Sequence, residues 1–228
     1  MKTIYIRSLA FTAAVLTAAA SVMAQERPAG LLNNLEVRQL VARAEPDDDA
    51  RLSAHFTALA DRYAAEAKRH ISMAQSFAAN ATRNFGSGMS AHCKRLADLN
   101  TQSATTVREL AAYHEKLAGG APATLPRDAA KFQGGAGAPQ PSQKELNELA
   151  AKASTPVDHR SLEEYFLTLA RRYTTDADNE AALAQTYRGT RIAQAAVHHD
   201  RLAGLSRDAA KEANAAAEMH KQLASVAR

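Results

Sequence analysis

Six side chains able to ligate a metal or carry a proton recur at matching places in two halves of this chain: His70, His92 and Cys93, then Glu180, His198 and His199. His114 and His220 form a further matched pair. Imidazole, thiolate and carboxylate on facing helices are the donors from which helical bundles build transition-metal sites, because rigid helices hold several donors around one ion. A nitrogen and sulfur set with one carboxylate favours Cu or Zn over Mg or Ca. The competing reading is structural. His114 and His220 fall in or near the last turn of their helices, where an imidazolium meets the negative end of the helix dipole and can pair with an Asp across a hairpin. His70 and Glu180 would then be half-exposed residues of a helix seam, and Cys93 a small buried apolar one. No His-x-x-x-His, Cys-x-x-Cys or Glu-x-x-His pair occurs, so no established metal motif is present, and the structural reading is preferred.

The positioning elements come from a duplication. Leu52, Phe56, Leu59, Arg62, Tyr63 and Ala67 match Leu162, Phe166, Leu169, Arg172, Tyr173 and Ala177 at an offset of 110. The offset then becomes 106, where His92, Arg95, Leu96, Leu99, His114 and Leu117 match His198, Arg201, Leu202, Leu205, His220 and Leu223. A lead-in repeats as well, Glu36, Leu40 and Arg43 answering Glu145, Leu149 and Lys152. The copies span residues 31–118 and 142–228, and the Gly/Pro-rich segment 119–141 between them reads as a linker.

Each copy reads as a short helix, a proline break and two long helices. Ser142-Gln143-Lys144-Glu145 and Thr155-Pro156-Val157-Asp158 are helix-start patterns. Leu52, Phe56, Leu59 and Tyr63 step by four and three, the spacing of a stripe facing a partner helix, and the stripe continues to His70 and Phe77. Met89, Leu96, Ser103, Leu110 and Leu117 recur seven apart, with Cys93, Asn100, Val107 and His114 in the alternate seam. Asn80, Asn84, Gly86 and Gly88 are expected to interrupt the first helix pair, and Gly189 the second. No segment alternates like a strand. The expected fold is all-α: two long antiparallel hairpins with short lead-in helices, packed as a four-helix bundle or held side by side.

A tight turn near Gly189 fixes the hairpin register. It places Glu180 opposite His198 and His199, and His220 opposite Asp158 and His159. The first copy then pairs His70 with His92 and Cys93, and His114 with Asp48 and Asp49. If the hairpins dock with turns at one end, all six donors of the first layer converge. Docked head to tail, His70, His92 and Cys93 meet His220, and Glu180, His198 and His199 meet His114.

The N-terminus carries Lys2 and Arg7, an apolar stretch from Ser8 to Val22, and the small-residue pattern Val22-Met23-Ala24, which together read as a secretory signal peptide over residues 1–24 cleaved before Gln25. The expected location is periplasmic or secreted, with no further membrane span. Losing those two cations lowers the formal charge from +4 to +2, and acidic and basic residues alternate, which argues against a nucleic-acid partner. Cys93 is the only cysteine, so it is buried, ligates something, or links two chains. Asn80-Ala81-Thr82 fits a glycosylation sequon.

Catalytic signatures are missing: no nucleophile elbow, no phosphate loop, no carboxylate pair beyond ordinary helix charges. Adjacent His92 and Cys93 point about 100° apart on a helix and do not form a dyad. The segment Ser90-Ala91-His92-Cys93-Lys94-Arg95-Leu96-Ala97, set between Ala-rich helices, resembles a loose group of uncharacterised exported bacterial proteins. That resemblance implies an exported helical fold and no activity, and the second copy departs from it with His199 for Cys93 and Glu180 for His70. The leading expectation is a non-enzymatic exported bundle serving as an interaction or structural module, with a homodimer or an envelope protein as partner. The alternatives are a Cu- or Zn-binding periplasmic protein and an envelope chaperone-like binder.

Overall fold

The computed structural model describes residues 31–80, 83–119 and 141–226, and among them six α-helices and no strand. They are α1 (Asn34–Arg43), α2 (Pro46–Ala78), α3 (Arg83–Ala118), α4 (Gln143–Lys152), α5 (Pro156–Arg188) and α6 (Ala196–Val226), the last preceded by a single 3-10 turn, Ala193–Ala195. Residues 1–30, 81–82, 120–140 and 227–228 lie outside the described residues, and with them the expected signal peptide 1–24, most of the expected linker and part of the Asn80-Ala81-Thr82 sequon.

The helix starts follow from local chemistry. The Asn33 side chain accepts from the Glu36 amide at 2.9 Å while the Glu36 carboxylate accepts from the Asn33 amide at 2.7 Å. Ser142 with Glu145, and Thr155 with Asp158, close the same reciprocal cap. Pro46 and Pro156 begin α2 and α5, where the absent amide proton costs nothing. The first copy's interruption is shorter than the sequence implied. Asn84, Gly86 and Gly88 lie inside α3. A Cβ on Gly88 would sit 3.0 Å from Cε of Met219, the flexible end of a side chain reaching across from α6.

α2 with α3, and α5 with α6, form the two antiparallel hairpins, and α3 packs directly on α6. Small side chains, among them Ala104 on α3 and Ala209, Ala213 and Ala216 on α6, are buried and let helix axes come close. α2 and α5 stand further apart and are bridged by long side chains. Arg62 reaches Asp176 at 3.4 Å, and Arg172 reaches Glu66 at 3.2 Å. The duplication equates Arg62 with Arg172 and Glu66 with Asp176. The two ion pairs are therefore one contact made twice about a pseudo-two-fold axis, and the hairpins run head to tail.

Two apolar cores follow from this docking. One joins α1, the first half of α2 and the far half of α3 to the end of α5 and the start of α6, with Val41, Phe56, Leu110 and Tyr187 among its residues. The other joins α4, the first half of α5 and the far half of α6 to the end of α2 and the start of α3, with Leu146, Phe166, Ala213 and Phe77. Each lead-in helix thus packs on the opposite copy's hairpin as well as its own partner. α4 is tied to α2 by the Asn80 amide, which donates to the carbonyls of Ala150 and Ala153 at 3.2 Å each, and by Asn147, which donates to Ser72 at 2.7 Å.

Since neither core belongs to one copy, neither copy should hold together alone. We expect fragments 31–119 and 141–226 each to lack a cooperative thermal transition as monomers and to regain one when mixed in equal amounts, as followed by circular dichroism. A cooperative monomeric melt from either fragment would contradict the shared-core arrangement.

Candidate functional site

The buried ionisable groups lie along the hairpin seams at the register set by the turns. In the second copy the Nδ1 of His199 meets the Glu180 carboxylate at 2.6 Å. Three heptads away on both helices of that hairpin, His159 and His220 face each other with ring centroids 5.6 Å apart. In the first copy the Nδ1 of His114 meets Asp49 at 2.8 Å, at the place equivalent to His159 and His220.

Asp49 can only accept while ionised, so His114 Nδ1–H donates to it. Burial outweighs the Asp49 hydrogen bond and charge and pushes the His114 pKa down, so the ring is neutral and its Nε2 accepts. The donor is Tyr187, whose hydroxyl lies 2.9 Å away and which burial keeps protonated. Phe56 stacks on His114 at 5.5 Å, and Tyr187 stacks on His199 at 4.7 Å. The opposite end repeats the rings without the hydroxyl: Phe166 stacks on His220 at 5.7 Å and Phe77 lies 5.7 Å from it. Burial, then the neighbouring His159 and His92 charges, lower the His220 pKa to about 3.

Head-to-tail docking separates the eight residues expected as metal donors, so they do not converge on one site. His114 and His199 share the Phe56 ring at one end, while His220 lies at the other with His92 in electrostatic reach. His92 and His198 leave the seam for the outer α3 and α6 surface, where His92 meets Glu212 at 2.6 Å and His198 approaches Glu109 at 3.7 Å. His70 and Glu180 are buried, not half-exposed, and Cys93 is a free, fully buried thiol. Among the described residues no three His, Cys, Asp or Glu side chains gather as a metal-holding group.

Further residues complete the polar layer. Asn100 donates to the hydroxyl of Tyr173 at 2.7 Å and to the Leu96 carbonyl at 2.8 Å. Glu66 is pulled up by burial but more strongly down by Arg172 and Arg69, so its carboxyl stays ionised in the gap between α2 and α5. The heptad position of Asn100, between Leu96 and Ser103 in the seam of α3, was the available signal. The contacts between copies had none, because they depend on how the hairpins dock.

Comparison with protein-family models, with curated proteins and with solved structures gives no match.

The neutral buried imidazoles link stability to pH. His114, His159 and His220 all have folded pKa values below 6.5, chiefly through burial, so the unfolded chain takes up protons that the folded chain refuses. Their contribution is complete above about pH 6.5 and is lost as pH falls, by up to about 1.4 kcal/mol per pH unit for each ring that stays neutral in the fold. Asp176, whose pKa burial raises, offsets a part of this near pH 4. Urea midpoints should fall steadily from pH 7 to pH 4.5, and His220→Phe should flatten the fall. A midpoint independent of pH over that range would refute the linkage.

Proposed function

We propose that this chain is an exported, non-enzymatic helical-bundle protein that acts as an interaction or structural module. The observation that carries the reading is the placement of the reactive groups: His70, Cys93, His114, His199 and His220 have no exposed surface. His114 and His199 spend their Nδ1 positions on internal carboxylates. Proton-transfer catalysis needs such a group within hydrogen-bond reach of a substrate. Export rests on the Lys2, Arg7, Ser8–Val22 and Ala24 pattern, in residues outside the described ones.

No helix among the described residues is long and apolar enough to cross a membrane. The large apolar side chains that face solvent, Leu35, Ile71, Val157, Val197 and Val226 among them, are distributed over α1, α2, α5 and both ends of α6. That distribution favours a module presenting polar helix faces over a chaperone-like groove.

The test has two parts. The chain expressed with its own N-terminus in a bacterial host should be recovered from the extracytoplasmic fraction beginning at Gln25. The purified protein should show no turnover above blank on a broad panel of hydrolase and redox substrates. Retention of residues 1–24 in the cytoplasm would remove the export reading, and turnover abolished by a point substitution would remove the non-enzymatic one.

A further inference from the structure

His70 is fully buried, and neither of its ring nitrogens has a hydrogen-bond partner. An imidazole desolvated without partners costs a few kcal/mol, so the position calls for an explanation beyond packing. The duplication shows what the ring faces. His70 and Cys93 are the equivalents of Glu180 and His199, which touch at 2.6 Å across the second hairpin. They also lie three heptads along both helices from Asp49 and His114, which touch at 2.8 Å across the first. Both relations put His70 and Cys93 at one level on facing helices, aimed at each other across the seam. Where the second copy joins a carboxylate to an imidazole at 2.6 Å and leaves only His199 Nε2 without a partner, the first has an imidazole with neither nitrogen bonded and a thiol.

We propose that His70 and Cys93 form a binding site for a soft monovalent cation, Cu(I), held between the imidazole nitrogen and the thiolate sulfur. Soft sulfur ligands select Cu(I), and two more lie in the adjacent layer. Met73, one turn beyond His70, and Met89, one turn before Cys93, are fully buried in the cluster that contains Cys93. Charge decides between metals. Binding breaks the Cys93 S–H bond, releases that proton to solvent and forms a sulfur–copper bond, so thiolate, Cu(I) and neutral imidazole together carry no net charge. Zn(II) would add one further positive charge to a fully buried site, which burial penalises. Burial, with Glu212 adding to it, pushes the Cys93 thiol up to about 12, and burial lowers the His70 imidazole to about 4, so without metal both groups are neutral. The site goes beyond the module reading and stands or falls separately from it.

The second copy supplies a control that should fold. The double substitution His70→Glu with Cys93→His installs the pair that already exists as Glu180 and His199. Anaerobic titration of the purified chain with Cu(I), presented as its bicinchoninate complex, should show one equivalent bound and one proton released per copper. Cys93→Ala, His70→Ala and the double substitution should each weaken binding at least tenfold, while His92→Ala leaves it unchanged. X-ray absorption of the copper-loaded native chain should show sulfur together with nitrogen in the first coordination shell. Failure of the native chain to take up copper, uptake unchanged in the double substitution, or a shell without sulfur would each overturn the proposal.

Discussion

The structure depends on an exchange of apolar surface between two hairpins that cannot each close a core. Their seams are rich in alanine, which buries little area per residue, and hydrophobic stabilisation scales with the apolar area removed from water. Large side chains are concentrated at each hairpin's open end on α2 or α5 and near the turn of the other copy. Head-to-tail docking brings these two sets together twice: Phe56 with Tyr187 in one core, Phe166 with Phe77 in the other. The lead-in helices close the remaining faces. The Arg62–Asp176 and Arg172–Glu66 pairs span the gap between the cores. Partly exposed pairs of this kind contribute little stability, about 1 kcal/mol or less each, but a misplaced charge there would be costly, so they serve alignment more than strength.

The pseudo-two-fold axis also makes each copy a reference for the other. At one end a carboxylate, an imidazole and a phenol satisfy one another through Asp49, His114 and Tyr187. At the equivalent place the set is His159, His220 and Phe77, rings that pack on one another. At the inner level Glu180 and His199 pair, where the first copy has His70 and Cys93. His55 accepts from the Leu32 amide at 3.0 Å, where the second copy has Tyr165. The backbone scaffold has been kept while the polar partners at each level have diverged.

This arrangement bears on function through access. Groups that would be nucleophiles or bases on a surface are held inside the bundle, and burial biases His70, Cys93, His114 and His220 toward their neutral forms. A metal ion differs from a substrate in this respect, since it can be enclosed by a few buried side chains. The free thiol also fits a buried role, because an interchain disulfide would require Cys93 at the surface and it has none.

Much of this was legible from residues alone. The stripe Leu52, Phe56, Leu59, Tyr63, His70 and Phe77 is buried throughout, because side-chain period and helix period agree. The seam from Met89 to His114 is buried too, although Leu117 at its end keeps 37% of its surface exposed. Caps at Ser142 and Thr155 and the opposition of Glu180 with His199 followed from local chemistry and turn position. The glycines and asparagines at 84–88 misled, because composition marks a turn only where packing does not carry the helix through, as it does in α3. Head-to-tail docking, the crossing of α1 and α4 to the other hairpin, the Tyr187–His114 bond and the outward turn of His92 and His198 were decided by tertiary structure. Periodicity reports which face of a helix is apolar, but the choice of which apolar face meets which is made by matching large against small side chains between copies, and that match exists only once the chain has folded.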